Sequence, residues 1–163
     1  MVVTFRNVID RANMMFEDYR LDKFYQSDIN AYYSYMYGFV LNSIDMFSGC
    51  LVDLSYTEIT VTEADLETHI DYQFDNELTS KIVYILALGT VISWMEKNNK
   101  DVEQMNLHMN AKEFRNYSEA QSFSKKQDAL YRMMEDYDNK ITEYQLMNLS
   151  SMTFFNANTT GGV

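Results

Sequence analysis

Hydrophobic positions recur at three- and four-residue spacing along most of the chain and switch to two-residue alternation in one stretch. That pattern predicts a mainly α-helical fold carrying one β-hairpin. Over residues 4–16, Phe5, Val8, Ile9, Ala12, Met15 and Phe16 share one stripe, with Arg6, Asp10, Arg11 and Asn13 opposite, as in a short amphipathic helix. Residues 17–26 read as a polar connection with Tyr19, Phe24 and Tyr25 embedded in it. Ser27 is then the expected N-cap, and Asp28 suits the positive end of the helix that follows. This helix, over 28–47, carries Ile29, Tyr32, Tyr33, Met36, Val40, Ile44 and Phe47 on one stripe, widened by Tyr35, Tyr37, Phe39 and Leu41. So wide an apolar surface predicts packing on two sides, within the subunit and against a neighbour. Ser48-Gly49 is the expected stop.

The period changes over about 57–75. Ile59 and Val61 alternate with Thr60 and Thr62; after Glu63-Ala64-Asp65, Leu66, Thr68, Ile70, Tyr72 and Phe74 alternate with Glu67, His69, Asp71 and Gln73. β-Branched and aromatic residues in strict alternation predict a hairpin. An isolated hairpin is marginal in water, so this one is expected to lie on helices of its own chain or to pair with another subunit.

Thr79 is the expected cap of a helix over 80–97 that is apolar nearly all round (Ile82, Val83, Ile85, Leu86, Leu88, Val91, Ile92, Met95), which places it at the centre of the domain, with Trp94 anchoring its end. Asn98-Asn99-Lys100 reads as a break, followed by a short helix from Asp101 to His108 and a loop over 110–117. Ser118 and Gln121 fit a capping box opening a last helix to about Leu146, apolar at Phe123, Leu130, Met134, Tyr137, Ile141 and Tyr144 and charged on its other face. From Asn148 the chain turns rich in Ser, Asn, Thr and Gly around Met152-Thr153-Phe154-Phe155. The expected organisation is therefore a domain over 1–147, a bundle of about four to five helices with one hairpin insertion, and an extended C-terminal arm over 148–163 that either frays or inserts into a neighbour.

Composition supports this. The 163 residues include no proline and 5 glycines, few helix breakers, and 47% are hydrophobic, enough for a core. The net charge of −11 is uneven: residues 1–80 hold 14 acidic and 4 basic side chains. Between Lys23 and Lys81 there is no basic residue, while Asp28, Asp45, Asp53, Glu58, Glu63, Asp65, Glu67, Asp71, Asp75 and Glu77 lie there. Such a surface repels phosphates, which argues against sequence-reading DNA binding. It is a solvated face, a dock for a basic partner, a channel wall past which DNA slides, or an imitation of DNA charge.

Candidate chemistry is sparse. One cysteine, Cys50, excludes an internal disulfide, and with two histidines, His69 and His108, it leaves no zinc site of ordinary spacing. Cys50 reads as a small buried apolar residue, since no basic neighbour in sequence would lower its pKa. Nucleotide-binding glycine loops, the nucleophile elbow and the HExxH pattern are absent, and no carboxylate pair stands out among so many. No enzyme, metal or cofactor is indicated. No uncharged apolar run nears the length of a membrane span, and Arg6, Asp10 and Arg11 spoil a signal peptide, so a protein of a reducing cytoplasm, or of a particle assembled there, is expected.

Four stretches in order carry a family likeness: Asp45-Met46-Phe47 with Cys50-Leu51-Val52-Asp53-Leu54; Tyr72-Gln73-Phe74 before Glu77-Leu78-Thr79; Ser93-Trp94-Met95-Glu96; and Lys112-Glu113-Phe114-Arg115-Asn116-Tyr117-Ser118-Glu119-Ala120. Over Asp45 to Tyr144 the chain resembles head–tail connector, or neck adaptor, virion proteins of tailed bacteriophages, with Lys97 and Glu119 near places where such proteins tend to have proline. The resemblance implies a non-enzymatic structural protein of the virion neck. It would form a homo-oligomeric ring of about twelve copies, joining the portal protein to the next neck or tail component and letting DNA pass unbound. Under that reading Tyr32, Tyr35, Tyr37, Phe39, Ile59, Val61, Ile70, Tyr72, Met152, Phe154 and Phe155 are the candidate subunit and partner contacts, and Glu58, Glu63, Asp65, Glu67 and Asp71 the candidate acidic lining of the lumen. The alternative is an acidic decoy that inhibits a nucleic-acid-binding protein by imitating DNA; the nearly neutral second half of the chain argues against a long continuous mimic.

Overall fold

A computed structural model describes residues 2–47, 50, 52–62, 68–108 and 117–151; side chains are described throughout except at 101–108, 117–123 and 148–151. Five helices and one antiparallel hairpin make up the described chain, in the order α1 (Phe5–Asn13), α2 (Tyr19–Ser27), α3 (Ile29–Met46), β1 (Tyr56–Thr62), β2 (Thr68–Phe74), α4 (Ser80–His108) and α5 (Tyr117–Ser151). The fold is mainly helical with a hairpin insertion, as the periodicity predicts.

The central position of α4 follows from its all-round apolar surface. Ile85, Leu86, Ala87, Val91 and Ile92 are buried among α1, α3 and α5, each of which packs on α4. The closest approach is made by small residues. Ser43 Oγ donates to the Leu86 carbonyl at 2.7 Å, and a Cβ on Gly89 would lie 2.6 Å from Ser43 Oγ and 3.2 Å from the Tyr137 ring, so glycine lets α3, α4 and α5 cross without displacing Ser43 or Tyr137. At the start of the chain, Thr4 and Asn7 form a reciprocal cap for α1, which buries Phe5, Val8, Ile9 and Ala12 as its pattern requires.

Four boundaries differ from expectation. Residues 17–26 are not a connection: Asp18 Oδ1 accepts from the Arg20 and Leu21 amides at 2.8 and 3.2 Å and opens α2, which packs on α3 through Leu21 and Phe24. Asp28, not Ser27, caps α3, accepting from the Ala31 amide at 2.9 Å, while Ser27 Oγ donates to the Phe24 carbonyl at the end of α2. The Asn98-Asn99-Lys100 stretch does not break the helix. Asparagine costs under about 0.7 kcal/mol in a helix interior, too little to stop a helix already held by its packed first half. The end of α5 also runs past Leu146 to Ser151. Ser48-Gly49, the 110–116 loop and most of the arm lie outside the described residues.

Candidate assembly surface

The hairpin is where this fold departs from a plain bundle, and Phe5 holds it. The fully buried Phe5 ring contacts Tyr37, Tyr56, Tyr72 and Phe74, with centroids 6.0, 5.0, 5.2 and 5.2 Å away. Backbone bonds reinforce this end: the Phe74 amide donates to Val3 O at 3.0 Å, Thr4 bridges Gln73, and the Asp75 amide donates to Ser55 O at 2.9 Å. Asp53 fastens the loop below, accepting from the Ser55 amide at 3.0 Å and from Asn76 Nδ2 at 3.0 Å; the Ser55 amide, first among these, holds its carboxyl below the usual range.

A polar strap runs beside the rings. Arg6 donates to Asn30 Oδ1 at 2.8 Å and to Tyr37 Oη at 3.4 Å, and its guanidinium lies 4.3 Å above the Tyr33 ring. Tyr37 donates in turn to the Ile70 carbonyl at 3.1 Å, reaching from α3 into the strand. Burial, aided by the charge of Asp71 and opposed by Arg6, pushes the Tyr37 hydroxyl up to about 12. Tyr33 donates to Asp10 at 2.7 Å, and its hydroxyl is likewise raised, first by burial.

The register runs from Tyr56↔Phe74 to Thr62↔Thr68. Directly opposed residues share a face, so Ile59 and Val61 lie with Asp71 and His69, whereas Ile70 and Tyr72 lie with Thr60 and Glu58. The apolar residues of the two strands therefore occupy opposite faces. Tyr72 is spent against the Phe5 cluster, but Ile70 is 51% exposed, and Ile59 and Val61 are half-buried. The main support of the hairpin is α1, through β2; β1 pairs with β2 and, among the described residues, no strand covers its other edge. That edge, Tyr-Thr-Glu-Ile-Thr-Val-Thr, carries a single charge, Glu58, and none of the lysine, proline or bulge that natural sheets use to discourage pairing.

Several candidates fall elsewhere. Tyr32, Tyr37 and Phe39 are 2, 7 and 6% exposed and belong to the chain's own core, so they are not contacts for a neighbour: α4, α1 and α2 cover the wide apolar surface of α3 that suggested a second partner, and the hairpin reaches Tyr37. Tyr35 is 38% exposed, stacked edge-on with Phe39 and overlain by Lys97 Nζ at 4.8 Å. Asp71 is not a lumen carboxylate; it is buried, with Oδ1 accepting from the Tyr72 amide at 2.8 Å. Glu58 is exposed on the Ile70 face. Glu63, Asp65, Glu67, Met152, Phe154 and Phe155 lie outside the described residues. Cys50 is buried and burial raises its thiol, while Gln145 Nε2 approaches Sγ at 3.8 Å.

The sequence reading did not single out Phe5 and Arg6 as the hairpin's anchors, since their partners are 24 to 69 residues away along the chain and no local pattern marks such pairs. Nor did it find α2, although Asp18 followed by Leu21 and Phe24 is a cap with an i, i+3 apolar pair. Among the described residues no group of His, Cys, Asp and Glu is placed to hold a metal ion, and no helix is long and apolar enough to cross a membrane. No family model, curated protein or solved structure matches the chain.

Proposed function

We propose that this chain is a structural adaptor of a tailed-bacteriophage neck, assembling head-to-tail into a ring that joins the portal to the next neck or tail component. One observation carries the assembly part of the reading: a hairpin braced at one end, with an open β1 edge and apolar residues on both faces. A ring subunit meets two neighbours through two different surfaces. A protruding hairpin with two unlike faces supplies both, and its open edge offers main-chain hydrogen bonds to a strand from the adjacent copy. The acidic balance of the chain suits a lumen through which DNA passes unbound. The resemblance over Asp45 to Tyr144 supplies the portal-proximal place and the virion location.

Native mass spectrometry and particle imaging, with and without portal, test the reading. A ring is the expected species, either alone or on the portal. The double variant Ile59→Lys, Val61→Lys should stay folded and lose the ring, because charge on an edge strand opposes pairing. A chain that stays monomeric with and without portal, or a double variant that still closes rings, overturns the proposal.

A further inference from the structure

A second surface lies away from the hairpin, in a half-open cavity of about 280 Å³ where the end of α1 meets α2 and α3. Phe16, Leu21, Tyr25 and Tyr32 form its apolar walls, and Asn13, Asp18 and Asp22 bring the polar atoms. The walls are fixed. Phe16 is stacked on Trp94 at 4.8 Å, Tyr25 meets Tyr32 edge-on at 5.2 Å, and Tyr32 donates to Asn13 Oδ1 at 2.5 Å.

The polar inventory is one-sided. Asp18 uses Oδ1 to cap α2 and keeps Oδ2; the Asp22 amide donates to the Asp18 carbonyl at 2.9 Å, but its carboxylate makes no ion pair or hydrogen bond among the described residues; the Tyr32 hydroxyl, its proton committed to Asn13, offers lone pairs. Among the described residues no lysine or arginine lines the cavity. Lys23, on the same helix, turns instead to the Tyr19 ring, with Nζ 4.6 Å from its centroid. Aromatic walls with carboxylates at the rim attract a cation that is flat enough to stack and rich in donors, which describes a guanidinium better than an ammonium. Beside the cavity, the sequence neighbours of Asn13 and Asp18 are Met14 and Tyr19, 77 and 71% exposed. Large exposed apolar side chains around a polar-rimmed cavity are the anatomy of a protein contact.

We infer that this cavity is a docking site for an arginine side chain presented by a partner protein. The inference does not depend on the ring, and its test uses the full chain with small probes. In amide NMR titrations, N-acetyl-arginine amide should shift resonances of Asn13 to Tyr25 and of Tyr32. The neutral isostere N-acetyl-citrulline amide should bind at least tenfold more weakly, and so should the arginine probe to Asp22→Asn, a surface change that leaves the fold intact. Acetyl-Leu-Arg-Leu amide should bind several-fold tighter than the single residue, and Tyr19→Ser should remove that gain. Equal binding of citrulline and arginine probes, or no shifts in the cavity, overturns the cation site; a tripeptide no tighter than the single residue overturns the protein partner.

Discussion

Phe5→Ala is the perturbation that most directly tests how the hairpin is held. The Phe5 ring is fully buried and touches Tyr37, Tyr56, Tyr72 and Phe74 at 5.0 to 6.0 Å between centroids. Removing a buried phenyl ring costs about 3–5 kcal/mol, the larger values where the site cannot collapse. Ring pairs add about 0.5–1.5 kcal/mol each beyond burial, but Tyr37–Tyr72 and Tyr56–Tyr72 survive the change and keep part of the cluster together. The balance is a loss of about 4 kcal/mol, a large share of the ~5–15 kcal/mol that stabilises a domain of this kind. The loss should be uneven. Val8, Ile9 and Ala12 still bury α1 in the helical core, so α4 keeps its cover while the hairpin loses its main brace. Hydrogen exchange read by mass spectrometry should show Tyr56–Thr62 and Thr68–Phe74 opening well before Ile85–Ile92, and urea unfolding should give the total. Phe5→Leu, which keeps most of the volume, should cost about 1–2 kcal/mol. A total under about 1.5 kcal/mol for the alanine variant, or equal loss of protection in hairpin and α4, would refute the reasoning.

Three further outcomes follow from the core. Gly89→Ala places a methyl 2.6 Å from Ser43 Oγ and 3.2 Å from the Tyr137 ring, and should lower stability by about 1–3 kcal/mol in urea titration; Ser43→Ala in the same chain should recover part of it. Among the described residues Tyr137 Oη is buried without a hydrogen-bond partner, so Tyr137→Phe should be neutral or raise stability by up to about 1 kcal/mol, whereas a loss above that would mean the hydroxyl is bonded. Burial pushes the hydroxyls of Tyr32 and Tyr37 up to about 12. Below the unfolded pKa of about 10 their contribution is complete; from there to the folded pKa only the unfolded state ionises, and each removes about 1.4 kcal/mol per pH unit. Circular dichroism should therefore fall in one cooperative alkaline transition above pH 10, and the last part of the tyrosinate absorbance, that of the buried hydroxyls, should rise with it. Ionisation of all 13 tyrosines with circular dichroism unchanged would contradict this.

Helix type and content were legible because burial imposes a period. Phe5, Val8, Ile9 and Ala12 recur as one helical face whatever α1 meets, Ile82 to Ile92 are apolar all round wherever the centre lies, and β-branched alternation at Ile59 and Val61 fits a strand in any context. The same patterns say that a surface is covered, not by what. Tyr32, Tyr37 and Phe39 suggested a neighbouring subunit, but in the fold α4, α1 and α2 pack on α3, and Asp71, which alternates like a solvent residue, is buried beside the Tyr37–Arg6 strap. The pairing register that sends Ile59 and Ile70 to opposite faces, the anchoring of the hairpin by Phe5, and the cavity between Phe16, Asp22 and Tyr25 all join residues from separate elements. Local sequence determines which residues avoid water, because transfer energy belongs to each side chain. Only the tertiary structure decides which of them meet, because that depends on how the whole set of faces is mutually satisfied.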